Sequence, residues 1–208
     1  MKTHKPFGPV AADRLRLSLC DRNSEVAEEL ASCFRHDDAV EVVQGHLFDL
    51  DCDGVVSPAN SFGDMSGGID KVIDDFHGGA AQTAVRAAIE RLFLGELPVG
   101  AAVVVELSAR RFPFVVAAPT MRIPATVHGS INAYLAMRAA LVAVLRHNAK
   151  GRRPIRTLAV PGLGTGVGGM DVGDAAEQMR TAYDNVMNEG WRRVIHPALA
   201  PYVRWRTR

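Results

Sequence analysis

Two stretches of the chain hold residue types that could do chemistry. The first is SPANSFGDMSGGID, Ser57 to Asp70. In it Asn60 offers both a donor and an acceptor, Asp70 offers a carboxylate, and Gly63, Gly67 and Gly68 let the backbone come close to a ligand. The second is PGLGTGVGGM, Pro161 to Met170, with five glycines. Glycines at that density leave backbone N–H groups uncovered, and successive N–H groups in a turn that feeds a helix hold anions such as phosphate. A plain turn needs one or two glycines, so five favour a phosphate grip over a flexible turn. Asp70 taken alone has two readings. The simpler is a first-turn carboxylate favoured by the helix dipole, and the other is a carboxylate that faces a ligand. Asp74 and Asp75 read as solvated helix residues.

Other chemistries find less support. Gly164 to Gly169 fits G-x-G-x-x-G, but it lies near the C-terminus and lacks the acidic residue expected after a following strand, so a nicotinamide-dependent oxidoreductase rests on the glycines alone. No Lys-Ser/Thr follows them, which excludes a nucleoside-triphosphatase loop. Cys20, Cys33 and Cys52 are too few and too scattered for a disulfide framework or a zinc site, and no metal site is expected. Cys20 and Cys33 fall on apolar sides and read as buried reduced thiols, which suits a cytoplasmic location. His4, His36, His77, His128, His147 and His196 are scattered and read as surface or helix-end residues.

Strands and helices must position the two loops. Arg14 to Cys20 alternates polar and apolar residues and predicts a strand, and a helix from Asn23 or Ser24 places Val26, Leu30 and Phe34 on one face. Ala39 to Gln44 and the run ending at Ser57 predict strands that lead toward the first loop. Ile69, Val72, Ile73 and Phe76 have helical spacing up to Gly78-Gly79, and a second helix turns Val85, Ala88, Ile89 and Leu92 inward. Strands follow at Ala101 to Leu107 and Phe114 to Ala118, then a long helix over Gly129 to Asn148. Thr157 to Val160 is a strand entering the second loop, and Asp171 caps a helix to about Asn188. Each loop therefore sits after a strand and before a helix, where open α/β sheets bind their ligands.

The alternation predicts an α/β domain with helices on both faces of its sheet. The chain has 208 residues with 48% apolar and 23% charged, which is ordinary globular composition for one domain. Residues 1–13 read as a loose tail, 14–190 as a single domain and 191–208 as a basic tail, with no internal repeat or linker and a surface turn at Lys150 to Pro154. The net charge of +1 gives no electrostatic case for a nucleic-acid or membrane protein, and no stretch is long and apolar enough to span a bilayer. The arginine-rich end, with Trp191 and Trp205, could touch nucleic acid, but a tail packed on the body is the favoured reading.

The paired motifs, in this order, resemble the macro domain. Gly45 to Leu47 reads GHL, Asp53 to Val56 reads DGVV, Asn60 follows, and Gly67 to Asp70 reads GGID ten residues beyond Asn60, the spacing of hydrolase-type members. GLGTGVGG, from Gly162, matches the second, phosphate-gripping loop, and APTMRIP, Ala118 to Pro124, looks like the bacterial and phage stand-alone branch. The resemblance spans roughly Arg14 to Asn188. It implies a three-layer α-β-α sandwich with a mixed central sheet, to which the first strand and helix are an N-terminal addition that extends the sheet.

The resemblance also implies ADP-ribose as ligand, with no cofactor, and an ADP-ribosylated macromolecule as partner. His46, Leu47, Ala59, Gly67, Gly68 and Ile69 would line its site, and the N–H groups of Gly164, Thr165, Gly166, Val167 and Gly168 would close on the phosphates. Asn60 would bond the distal ribose, and Asp70 would position or activate a water at the anomeric carbon. The implied activity is removal of mono-ADP-ribose, the alternative a non-catalytic reader. Three positions depart from the family pattern. His46 replaces the aspartate that accepts from the adenine amino group. Gly168 replaces an aromatic residue that packs on the distal ribose. Asp64 stands where an apolar residue is common, and it is expected to point outward. The zinc-dependent branch needs Cys and His in the first loop, and this loop has neither.

Overall fold

The computed structural model describes residues 4–5, 14–151 and 153–202. Its strands are β1 (His4–Lys5), β2 (Arg16–Asp21), β3 (Val40–Gln44), β4 (Gly54–Ser57), β5 (Val103–Glu106), β6 (Phe114–Ala117) and β7 (Thr157–Val160). Its α-helices are α1 (Ser24–Cys33), α2 (Gly68–Phe76), α3 (Ala80–Phe93), α4 (Asn132–Asn148) and α5 (Val172–Met187). The strands form one mixed sheet in the order β1-β3-β2-β7-β4-β6-β5. The five inner strands are parallel, and β1 and β5 pair antiparallel at the two edges.

The layers follow from side-chain alternation along each strand. Leu17, Leu19, Val56, Val116, Leu158 and Val160 face one core with α1, α4 and α5. Cys20, Val55, Val115 and Ala159 face the other with α2 and α3. This is the three-layer α-β-α sandwich with a mixed sheet. The first strand and helix, however, do not extend the sheet at an edge. β2 lies inside it, in parallel register with both β3 and β7. Within the stretch read as a loose tail, His4 and Lys5 pair with Val43 and Val42.

Side-chain caps start two of the five α-helices among the described residues. Asn23 caps α1 through its side chain, and Asp171 caps α5 by accepting from the Asp174 N–H. Two burial expectations fail. Leu92 is 58% exposed, because α3 ends one residue later and its apolar face is already complete with Val85, Ala88 and Ile89. Cys33 closes α1 and is only partly buried, whereas Cys52 is buried beside Ser18; all three thiols are free. Beyond α5, Gly190–Arg193 and Pro197–Leu199 form two 3-10 turns, and Tyr202 packs its ring 5.3 Å from Tyr134. The rest of the basic tail, including Trp205, lies outside the described residues. No helix among the described residues is long and apolar enough to cross a membrane.

Candidate functional site

A cleft of about 420 Å³ opens at the carboxyl ends of the parallel strands. It lies beyond Asp21 of β2, Gly45 after β3, Pro58 after β4, Thr120 after β6 and Pro161 after β7. The volume suits a small organic ligand. Both chemically suggestive loops enter it. The residues expected around a ligand, His46, Leu47, Ala59, Asn60, Gly67, Gly68, Ile69, Asp70 and the run Gly164 to Gly168, all line this one cleft.

Asp70 sits in the first turn of α2 but does not cap it. Its carboxylate crosses to the end of β4, where Oδ1 accepts a 2.6 Å hydrogen bond from Ser57 Oγ and the Ala59 N–H donates to it as well. Asp70 keeps some exposed surface, yet most of its surroundings are protein. Burial raises its pKa to about 6, against the two hydrogen bonds that lower it, and the Asp64 charge adds a smaller push upward. Ser57 is fully buried and was not foreseen as part of the site; the signal was a hydroxyl closing an otherwise apolar strand.

Asn60 lines the cleft and also holds the loop. Its Oδ1 accepts from the N–H groups of Phe62 (3.1 Å) and Asp64 (3.3 Å), and its Nδ2 donates to the Asp64 carbonyl (2.9 Å). The side chain thereby ties the first loop into a closed turn, with one amide hydrogen left over. The Asp64 side chain is 44% exposed, as expected of an outward residue, and it also engages the loop. Its Oδ1 accepts from the Ser66 N–H at 3.1 Å and lies 3.5 Å from Arg86 Nη2, and the residue lines the cleft. The guanidinium offsets its charge near any anionic ligand. Asp74 is not simply solvated either: its Oδ1 accepts from the Gln82 N–H in α3 at 2.8 Å.

The second loop is held from both sides. Asp21 Oδ2 accepts from the Gly162 N–H, and the Gly168 carbonyl accepts from the Val127 N–H at 2.7 Å. The N–H groups of Gly164, Thr165, Gly166, Val167 and Gly168 have no partner among the described residues. Asp171 caps α5, so these free donors belong to the loop and not to that helix. The N-terminus of α2, by contrast, has no side-chain cap and begins at Gly67 and Gly68 on the cleft wall. Five loop donors and an uncapped helix start suit an extended anion such as a diphosphate.

Gly168 admits no side chain. A Cβ there would lie 2.5 Å from the Gly164 carbonyl oxygen and 2.7 Å from Val127 Cγ2. The preceding Val167 is 67% exposed. The loop therefore carries no aromatic cover, and the rim here is open. One wall of the cleft, for which the sequence carries no local signal, comes from Asp21 of β2, Arg22 and Asn23 in the link that follows, and Val26 of α1. Among the described residues, no group of three or more His, Cys, Asp or Glu could hold a metal ion.

Comparison with known proteins adds the following. A family model, Macro domain, matches residues 56–179. An uncharacterized protein of Aquifex aeolicus is 36% identical over 140 residues, which are 67% of this chain and 78% of that protein. Among solved structures, the macrodomain of Mycobacterium tuberculosis DarG superposes with a TM-score of 0.51 at 26% identity, over 68% of this chain and 87% of that one. Thermosipho africanus DarTG in complex with ADP-ribose gives 0.55 at 16% identity, over 77% of this chain and 48% of that one.

Proposed function

The chain belongs to the macro domain family, and from that membership we propose that its cleft binds ADP-ribose and removes mono-ADP-ribose from a modified macromolecule. One observation carries the reading: a carboxylate with a pKa near 6, Asp70, lines the same cleft as the five free N–H groups of Gly164 to Gly168. The loop would grip the diphosphate, and the ribose would lie toward Asp70. Similarity to DarTG in complex with ADP-ribose supports the choice of ligand.

The reaction is hydrolysis of the bond between the anomeric carbon and the leaving oxygen. That carbon becomes oxocarbenium-like as the bond breaks, so the step needs an oriented water and stabilised charge more than a strong base. Ionised Asp70 would hold the water and take its proton as the new C–O bond forms, and the leaving carboxylate would depart with the macromolecule. A ligand phosphate could take that proton instead, with Asp70 as orienter. Ser57 would hold Asp70 in place, and Asn60 would hold the loop.

The test is incubation with a mono-ADP-ribosylated protein, following loss of label. Asp70→Ala should slow release by roughly 10²–10⁴ if Asp70 acts in proton transfer. Release by this variant at the wild-type rate would assign the base to the substrate's phosphate. The second reading is a non-catalytic ADP-ribose reader. It is favoured by the open rim at Gly168. Binding of ADP-ribose with no release from any linkage would establish it.

A further inference from the structure

The formal charge of +1 is the sum of two unlike parts. No Asp or Glu occurs from residue 107 to residue 170, a run that holds nine of the 24 Lys and Arg residues, and the rest of the chain has 15 cations against 23 acids. Such asymmetry favours local contact with an anionic partner even where the whole chain is near neutral. The cations of the run are not alike. Arg122 pairs with Glu96, and Arg111 donates to the carbonyls of Phe48 and Leu50. Arg146, Lys150, Arg153 and Arg156 instead share one corner, where α4 ends and the chain turns into β7, and all four are exposed. The turn is fixed to the helix end. The Asn148 amide donates to the Ile155 carbonyl and accepts from its N–H, each at 2.9 Å, and His147 Nε2 lies 3.0 Å from the Arg153 carbonyl.

No carboxylate pairs with any of these four side chains among the described residues. The acid that meets this corner, Asp53, accepts through Oδ2 from the N–H groups of Arg156 and Thr157 and from the Thr157 hydroxyl. A cation in the last turn of a helix favours its dipole, which accounts for Arg146. Arg153 and Arg156 lie beyond the helix, and the Arg153 guanidinium sits 5.7 Å from the Phe114 ring centre. A merely solvated surface intersperses both signs, and this one does not. Three of the four cations are arginines, whose planar fork matches phosphate oxygens. Leu145 is the large apolar side chain exposed beside them, too little surface to enter a bilayer. The corner stands at the amino ends of the parallel strands, opposite the cleft. We propose that it binds the phosphate backbone of a nucleic acid, as a surface separate from the cleft.

The experiment is fluorescence anisotropy of the full chain with a short labelled DNA duplex over a series of salt concentrations, without and with millimolar ADP-ribose. Wild type should bind at low salt, with log K falling against log salt at a slope of roughly −3 to −4, as four phosphate contacts require, and ADP-ribose should leave the binding unchanged. Arg146→Gln, Lys150→Gln, Arg153→Gln and Arg156→Gln should each reduce the slope by about 1. The four together should weaken binding by roughly tenfold or more while the cooperative melt is kept. If the combined variant does not fold, the slopes of the single variants decide. Absence of binding at low salt, or wild-type slopes in every variant, overturns the proposal. Displacement of the duplex by ADP-ribose would put it in the cleft and overturns it too. A loss confined to a chain with Arg204→Gln, Arg206→Gln and Arg208→Gln assigns the anion to the carboxyl-terminal tail, and binding to vesicles of anionic phospholipid with none to DNA assigns it to a membrane; either result overturns the proposal.

Discussion

Asp70 concentrates the chemistry of the site because burial and hydrogen bonding oppose each other there. Its pKa is raised from 3.8 to about 6, chiefly by burial, while the Ser57 hydroxyl and Ala59 N–H favour the charged form. A carboxyl group whose folded pKa is raised contributes stability that is fully present below its unfolded pKa and is lost as pH rises through the folded one. The window here runs from near 4 to above 6. Asp70→Asn should therefore raise the melting temperature more at pH 8 than at pH 5, and an equal gain at both would refute the assigned shift. Hydrolysis by wild type should rise with pH through about 6 as the carboxylate forms, and Ser57→Ala should move that limb to higher pH by removing a bond to the charged form. Asn60 should behave differently. Asn60→Ala deletes three hydrogen bonds inside the loop, at about 1 kcal/mol each. It should lower the melting temperature and the ligand affinity yet leave the pH limb in place, so a shifted limb would mean that Asn60 acts on Asp70 or the water directly.

The Gly162–Gly169 loop works as an element, and its glycines are not equivalent. A Cβ at Gly166 meets nothing within 4 Å, whereas one at Gly168 meets the Gly164 carbonyl oxygen and Val127. Gly168→Ala should distort the loop and abolish the melting-temperature rise caused by ADP-ribose, while Gly166→Ala should retain most of it; thermal shift with millimolar ligand reads both. Equal loss in both variants would mean that backbone freedom, not packing, controls the grip. The elements that bring this loop to Asp70 were legible in the sequence where a local signal sets them. The strand Thr157 to Val160 and the cap at Asp171 stand where a short, mostly apolar run and capping chemistry place them. Leu92 misled because helical spacing continues past the point where the inner face is full. The cleft wall made by Asp21, Arg22 and Asn23 was not legible, because it depends on β2 lying between β3 and β7, a non-local pairing that no local pattern encodes. The bonds of Asn60 were hidden for the opposite reason: an amide in a glycine-rich loop can serve the loop or a ligand, and only geometry separates the two.

At the scale of the whole molecule, the family match and the folding unit do not coincide. The match begins at Val56, but β2 and α1 lie before it and occupy the middle of the sheet and one face of it. Leu17, Leu19, Val26, Leu30 and Phe34 are each no more than 3% exposed. Burying a large apolar side chain contributes about 1.5–3 kcal/mol, and a domain is stable by only about 5–15 kcal/mol in total, so these five side chains together are comparable to the whole margin. Their loss would also strip β3 and β7 of their shared neighbour and remove the Asp21 carboxylate that ties β2 to the Gly162 N–H. The two-residue β1, in contrast, covers only Val42 and Val43 at an edge. A chain beginning at residue 14 should unfold in one cooperative thermal transition and keep its response to ADP-ribose. A chain beginning at residue 36 should show no cooperative transition, although it contains all of residues 56–179. Circular dichroism melts of the two truncated chains decide it. A sharp melt of the shorter one would require β3 and β7 to pair directly across the place of β2, and the cleft would then lose the wall that Arg22 and Asn23 supply.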